Sequence, residues 1–417
     1  MTGPLAGIPV PTSSRLAVAT RSPSSGGAAC GIVTSGAAAE LKFAGYDGII
    51  VSGQASSPTF VYVTDQRVTF ERANMLWGKG AHEVERTIRQ KKWTFMARTL
   101  TIGPAGENLV PYASMTADGR GQAGDLGIGA VIGSKNLKAV AVRGQAAVYV
   151  ADLDGFLGLV QGAWGDGSLG DWRSWSDLPS SSEATAPDLG TRAPDVAMPA
   201  AGEYRGIEPL GRTLPEARLM SSSICSFCPL GRSRPVASTG VITSRGVHYC
   251  TTGALGAGRE TGEVDKLAEL SRLCDDLGPD TISAAAAIGF ALDGTEGAVA
   301  ESEPLAPDVE SRESALRLLA SGGDVGAGDI AAASAKEIQH AESRRGSPSG
   351  ESAERLRSSA IMDSLILCNR WHPPLGTVAA VLAAITGSSS TPNSLLEAGD
   401  RILELERLAA ATGSRHR

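Results

Sequence analysis

Hydrophobic and polar positions follow two different rhythms along the chain. In the first third, short runs of β-branched, aromatic and small apolar residues recur at 15–19, 48–51, 59–63, 98–102 and 138–142, separated by Gly, Pro, Asn and Asp. Runs of this length and content, bounded by turn residues, predict strands. One helix interrupts them. Residues 81–90 carry Val84 and Ile88 four apart, directly after Gly78-Lys79-Gly80, and that spacing puts both on one helical face. From about residue 247 the period turns helical. Residues 263–277 place Leu267, Leu270, Leu273, Cys274 and Leu277 on one face, and 281–292 are apolar nearly all round, the pattern of a buried helix. Shorter helices are expected over 311–319 and 331–341, with an exposed polar loop over 344–354. Two closing helices are expected over 375–386 and 394–412, the last with an apolar stripe of Leu395, Ile402, Leu405 and Leu408. Strands first and helices after predict a segregated α+β fold. The expected division is a β-rich domain over 1–150, a loop-rich connection over 151–224 and α-helical domain(s) over 225–417.

Composition narrows the class. A chain of 417 residues that is 42% apolar and 20% charged is globular and long enough to bury a sizeable core. Its net charge of −7 argues against nucleic acid as a partner. No apolar run is long enough to cross a membrane, and Met1-Thr-Gly-Pro-Leu has neither the basic start nor the apolar core of a secretory signal. Six scattered cysteines are too few for a disulfide scaffold, so a reducing, cytoplasmic setting is expected.

Several strings carry a family likeness: Thr2-Gly-Pro-Leu-Ala-Gly, Glu40-Leu-Lys-Phe-Ala-Gly-Tyr-Asp, Ile102-Gly-Pro-Ala-Gly-Glu-Asn-Leu-Val, Gly129-Ala-Val-Ile-Gly-Ser-Lys-Asn-Leu-Lys-Ala, Cys225-Ser-Phe-Cys-Pro, Leu277-Gly-Pro-Asp-Thr-Ile-Ser and Asp363-Ser-Leu-Ile-Leu-Cys. In this order over most of the chain, they resemble the aldehyde ferredoxin oxidoreductase family, the tungstopterin iron–sulfur enzymes. The resemblance implies a β-rich first domain, helical domains behind it and a cofactor cavity between them.

Ancestry is not activity, and the chain departs from the family pattern at each part of the expected machinery. The family's cluster run pairs a CxxCxxxC with a distant cysteine. Cys225, Cys228 and Cys368 match three of the positions, while the fourth falls on Arg232, whose guanidinium has no lone pair to give iron. Three thiolates still suffice for a three-iron cluster, or for a four-iron cluster with one open iron; the other reading is three buried thiols. The first pterin motif of the family is matched by Asp275-Asp-Leu-Gly278-Pro-Asp280, and the second by Asp363-Ser-Leu-Ile366-Leu-Cys368, with Ile in the glycine position. For Asp275 and Asp280 the alternative is helix termination and capping. The arginine that resemblance assigns to a pterin phosphate falls on Asp125, a reversed charge. The family's catalytic glutamate falls on Cys250, beside His248 and Tyr249, and the catalytic-histidine stretch has no counterpart between Asp329 and Asp363.

The expectation is therefore a family-shaped scaffold without tungstopterin, with no cofactor favoured and an iron–sulfur cluster as the alternative. The former pterin site is expected near Asp125, Gly278, Asp363 and Ile366. The first function reading is a cofactor-independent cyclase, isomerase or lyase of specialised metabolism acting on a small molecule. In it Cys250 is a nucleophile or weak acid tuned by His248, and Asp275 and Asp280 are acid–base groups. The second is an iron–sulfur oxidoreductase acting on aldehydes, with ferredoxin as its partner. The third is a non-catalytic companion of a fuller homologue. A homodimer is an open assembly.

Overall fold

The computed structural model describes residues 1–165 apart from 11, 25, 93, 120, 124 and 125, together with 236–238, 241–244, 264–293, 309–323, 350–368 and 373–413. The first 143 residues give, in order, β1 (Arg15–Arg21), β2 (Ala28–Thr34), α1 (Ala37–Phe43), β3 (Thr59–Thr64), β4 (Val68–Arg72), α2 (Ala81–Lys91), β5 (Arg98–Thr101), α3 (Pro104–Glu107), β6 (Met115–Ala117), β7 (Gly121–Ala123), α4 (Ile128–Ser134) and β8 (Leu137–Arg143). Then follow α5 (Leu153–Gly165), the pair β9 (Val236–Ser238) and β10 (Val241–Ser244), and helices α6 (Val264–Leu277), α7 (Thr281–Asp293), α8 (Val309–Ala320), α9 (Gly350–Ser364), α10 (Leu375–Thr386) and α11 (Pro392–Gly413).

Six strands form one sheet in the order β4-β3-β8-β5-β6-β7, in which only β3 and β8 run parallel. Its two faces follow from the two-residue period of a strand. Val61, Val63, Val140 and Val142 pack with Leu16, Leu41, Leu100 and Ile102 on one face. Phe60, Ala139 and Ala141 pack on the other against Val84 and Ile88 of α2, so the i,i+4 pair seen in the sequence is the buried stripe of that helix. Lys138 of β8 is fully buried, pairs with Glu107 at the end of α3 and donates to the Lys79 carbonyl at 2.7 Å. β1 and β2 form a separate antiparallel pair from Arg15↔Thr34 to Arg21↔Ala28.

The helices make two further cores. Leu270, Leu273, Cys274, Ile288, Leu316 and Leu319 of α6–α8 close over Val110, Tyr112 and Ala113 of the β-domain. Leu5, Ile8 and Val10 sink among Phe156 of α5, Met362 of α9 and Val381 and Ile385 of α10.

Four expectations are corrected. Residues 48–51 pair with no strand among the described residues: they lie exposed, with Ile50 97% accessible. The loop-rich connection begins with a helix, α5. Residues 350–354, expected in a polar loop, are the first turn of α9. In α11 the apolar stripe is buried only at Leu395, because no described element covers Leu405 and Leu408. The helix expected over 331–341 lies outside the described residues.

Candidate functional site

Two helix C-termini carry the motif residues, and both are docked on the first domain. At the first, α6 stops because Gly278 adopts a left-handed conformation, φ +83°, and its N–H donates to the Cys274 carbonyl at 2.8 Å. This single-bond αL cap suits glycine, which has no Cβ to clash there. The chain then runs along the β-domain almost as an extra strand. Ser114 donates its N–H (2.8 Å) and hydroxyl (3.2 Å) to the Gly278 carbonyl, and Asp280 N–H donates to Tyr112 O at 3.0 Å. Thr116 Oγ1 donates to Asp275 O at 2.7 Å. Gln122 Nε2 donates to Pro279 O at 3.1 Å, and its Oε1 accepts from the Thr281 amide and hydroxyl. A Cβ on Gly103 would sit 2.2 Å from the Leu277 carbonyl oxygen, so that glycine is what allows the approach.

The three aspartates at this joint have three different fates. Asp280 is the N-cap of α7, its Oδ2 accepting the Ser283 N–H at 2.8 Å. Asp276 Oδ1 accepts from the His82 amide (3.0 Å) and faces His82 Nδ1 (2.9 Å), pinning α6 to α2. Burial works to raise its pKa, but the hydrogen bonds from His82 outweigh this and hold it below the ordinary value. Asp275 has no hydrogen-bond partner for its carboxyl among the described residues. The residue keeps part of its surface open, yet the carboxyl is desolvated enough that burial pushes its pKa up to about 7, with His82 lowering it and Asp276 raising it. The neighbouring Cys274 thiol is pushed up by burial and by Asp275 and Asp280, so it stays protonated and inert. Asp275 is thus a carboxyl near half-ionisation at neutral pH, able to give or take a proton or to hydrogen-bond a polar ligand.

At the second helix end, α9 closes in a full Schellman motif. Ile366 N–H donates to Asp363 O and Leu367 N–H to Met362 O, both at 3.0 Å. The left-handed residue is Ile366, φ +56°, 5% exposed. A β-branched residue there is strained. Glycine at this position would serve two ends, room for close approach of a ligand and the left-handed conformation itself. The N-terminal segment clamps this end. Cys368 N–H donates to Thr12 Oγ1 at 3.3 Å, Arg15 Nη1 donates to Leu367 O at 3.1 Å, and a Cβ on Gly3 would meet Leu365 O at 2.1 Å. Arg15 Nε is buried without a hydrogen-bond partner among the described residues.

The structure therefore brings Asp275, Gly278 and Asp280 together at one helix end, and Asp363, Ile366 and Cys368 at another. Asp363 is exposed, and Cys368 is a half-buried free thiol. Cys225, Cys228, Arg232, His248, Cys250 and Asp125 lie outside the described residues. Sequence reasoning missed His82, Thr116, Gln122 and Arg15. The only signal for His82 was its place in the first turn of a well-marked helix.

Comparison with known proteins agrees with this architecture. The family model for the aldehyde ferredoxin oxidoreductase N-terminal domain matches residues 1–144, and that for domains 2 and 3 of the same enzymes matches 205–352. The tungsten-containing aldehyde ferredoxin oxidoreductase of Pyrococcus furiosus is 34% identical over 296 residues, 70% of this chain and 48% of the relative. That of Thermococcus kodakarensis is 33% identical over 296 residues, with the same shares. The WOR-like subunit of an aliphatic sulfonate oxidoreductase from Pyrococcus furiosus is 35% identical over 156 residues, 34% of this chain and 25% of that one. Among solved structures, the active site complex BamBC of benzoyl coenzyme A reductase, with 1,5-dienoyl-CoA, superposes with a TM-score of 0.79 at 21% identity. It covers 98% of this chain and 80% of its own, a likeness of fold alone. The chain belongs to the aldehyde ferredoxin oxidoreductase family, and it spans about half the length of the curated relatives it matches.

The described residues fit the family's cofactor only in part. Arg15, with an orphaned buried Nε, suits an anionic group, and Asp275 suits a polar ring. Ile366 does not suit a pterin packed on the motif's backbone, because its side chain is buried where glycine would leave room. Among the described residues, no cluster of three or more His, Cys, Asp or Glu is placed to hold a metal ion, and no helix is long and apolar enough to cross a membrane.

Proposed function

We propose that this family scaffold works as a small-molecule enzyme without tungstopterin, and that Asp275 is its proton-transferring group. The observation that carries the reading is the place of the Asp275 carboxyl at the joint between the β-domain and α6, where it has no hydrogen-bond partner among the described residues and burial raises its pKa. General acid–base groups are most effective when their pKa lies near the working pH. Thr116 fixes the backbone at Asp275, and the Asp276–His82 pair locks the helix turn beside it, so the carboxyl is held in place by its neighbours. Reactions that need only proton movement, such as cyclisation, isomerisation or elimination, suit this arrangement. Three replacements support loss of the family cofactor: Ile366 for glycine, Asp125 for arginine and Arg232 for cysteine. His248 and Cys250 remain candidate partners in the chemistry.

The test is metal analysis of protein expressed anaerobically with tungstate and molybdate supplied. Tungsten and molybdenum should be far below one per chain; stoichiometric tungsten would refute the reading. A second reading, an iron–sulfur oxidoreductase, is favoured by the survival of Cys368 at the end of the α9 motif with its amide fixed by Thr12. Iron and acid-labile sulfide in the same preparation would select it.

A further inference from the structure

We infer that His82 is the second proton-carrying group of the Asp275 site, with Nε2 as the atom that takes the proton and Asp276 as the residue that positions the ring. The inference deepens the proposed function and rests on that reading.

Helix α2 begins after Gly80, which has no side chain to cap it, and the cap comes from α6 instead: Asp276 Oδ1 accepts the His82 amide at 3.0 Å. A Cβ on Gly80 would lie 2.3 Å from that carboxyl, so the glycine is what admits it. The same oxygen lies 2.9 Å from His82 Nδ1. A carboxylate at a helix N-terminus, accepting a backbone N–H, is held in its ionised form, and an ionised carboxylate can only accept. Nδ1 therefore carries the hydrogen, and the neutral ring keeps its lone pair on Nε2.

That nitrogen is open. It has no hydrogen-bond partner among the described residues, and the His82 side chain is 30% exposed. Gly119, φ +63°, brings the β6–β7 turn against this edge of the ring: a Cβ there would lie 3.2 Å from Cδ2, the ring carbon bonded to Nε2. Three residues earlier on the same hairpin, Thr116 Oγ1 holds the Asp275 carbonyl at 2.7 Å. His82 and Asp275 thus face one hairpin, near enough for charge on the ring to favour the Asp275 carboxylate. The other charges around them are committed elsewhere. Glu85 pairs with Arg89, Lys138 pairs with Glu107, and Arg272 acts on Asp276. The loop before α2 is fixed as well. Glu107 Oε2 accepts the Gly78 N–H at 2.7 Å and Lys138 Nζ donates to the Lys79 carbonyl, so the ring has a rigid mount.

A lone-pair nitrogen beside a carboxylic acid can remove one proton while the acid delivers another. Nε2 takes a proton from one substrate atom. The bonding pair left there shifts through the substrate to a second atom, which takes the proton of Asp275. The imidazolium then passes its proton to the Asp275 carboxylate, and both groups are restored. An imidazole ionises only a C–H that an adjacent π system acidifies, so the substrate class is a carbonyl or conjugated unsaturated compound, rearranged without redox change.

The experiment uses the full chain labelled with 15N-histidine and 13C-aspartate. Long-range 1H–15N correlation at high pH should show His82 with a hydrogen on Nδ1 and none on Nε2. Diethyl pyrocarbonate, which acylates an accessible unprotonated imidazole nitrogen, should modify His82, as mapped by peptide mass spectrometry. The Asp275 titration, followed through its carboxyl 13C signal, should move upward by about half a pH unit or more in His82→Gln, which removes a neighbouring positive charge. A hydrogen on Nε2, an unmodified His82 or an unmoved Asp275 titration would each overturn the inference and leave His82 a structural pin. The first two measurements use wild-type protein, so the inference stays testable if the variant fails to fold. Stoichiometric tungsten in the same protein would instead remove the reading of the function while the three results stood.

Discussion

Asp275→Asn replaces a titrating carboxyl with an amide of nearly the same shape. Because the folded-state pKa is raised, from the ordinary 3.8 to about 7, the folded protein holds this proton over a range where the unfolded chain has lost it. The sign follows from linkage. Between the two values the native state binds more protons, so stability falls as pH rises, and the full cost is present above about pH 7. Roughly three pKa units at 1.36 kcal/mol each set an upper bound near 4 kcal/mol; part of the residue is open to water, so about 2–4 kcal/mol is expected. The assay is urea unfolding of wild type and Asp275→Asn at pH 4, 6 and 8. The variant should be more stable by that amount at pH 8, and the two should converge at pH 4. Equal stability at all three values, or a variant weaker than wild type at pH 8, would mean that the carboxyl is solvated or has a hydrogen-bond donor, and the acid–base role would lose its basis.

Other perturbations separate strain from packing and pairing. Ile366→Gly relieves a left-handed conformation worth about 1–2 kcal/mol but removes a buried side chain whose truncation costs about 2–5 kcal/mol. A net loss of roughly 1–3 kcal/mol in denaturant unfolding is expected, and a gain would show that the strain dominates. Lys138→Met leaves the buried Glu107 without its cation, and losing one member of a buried pair costs about 3–5 kcal/mol. The double change Lys138→Met with Glu107→Leu should recover much of that loss, and failure to do so would point to the lost hydrogen bond to Lys79 instead.

Where local pattern decides the structure, the sequence was sufficient. Strands β3, β5 and β8 and helix α2 carry their own periodicity, and α10 was bounded correctly because Pro374 and Gly387 flank it. Residues 48–51 have the same strand-forming content, but a strand exists only when a neighbour pairs with it, and that neighbour cannot be read locally. β6 and β7, three residues each, are too short to leave a pattern and are held by pairing with β5. At the site, the spacing of Asp275, Gly278 and Asp280 was legible as a motif. The division of labour among Asp275, Asp276 and Asp280 was not, because it depends on His82 and Ser283: one lies nearly two hundred positions away, and the other matters only through capping geometry.

The burial of Leu5, Ile8 and Val10 among α5, α9 and α10 has a consequence for biosynthesis. Their tethers, Arg15 to Leu367 and Thr12 to Cys368, span 352 and 356 residues. Residues 5–15 therefore wait for some 350 later residues to be made before they can be covered. At about 5–20 residues per second that wait is roughly 20–75 s. During this time the nascent chain displays the apolar side chains of Leu5, Ile8 and Val10, and a chaperone that shields them should raise the yield of folded protein more than one that acts after release.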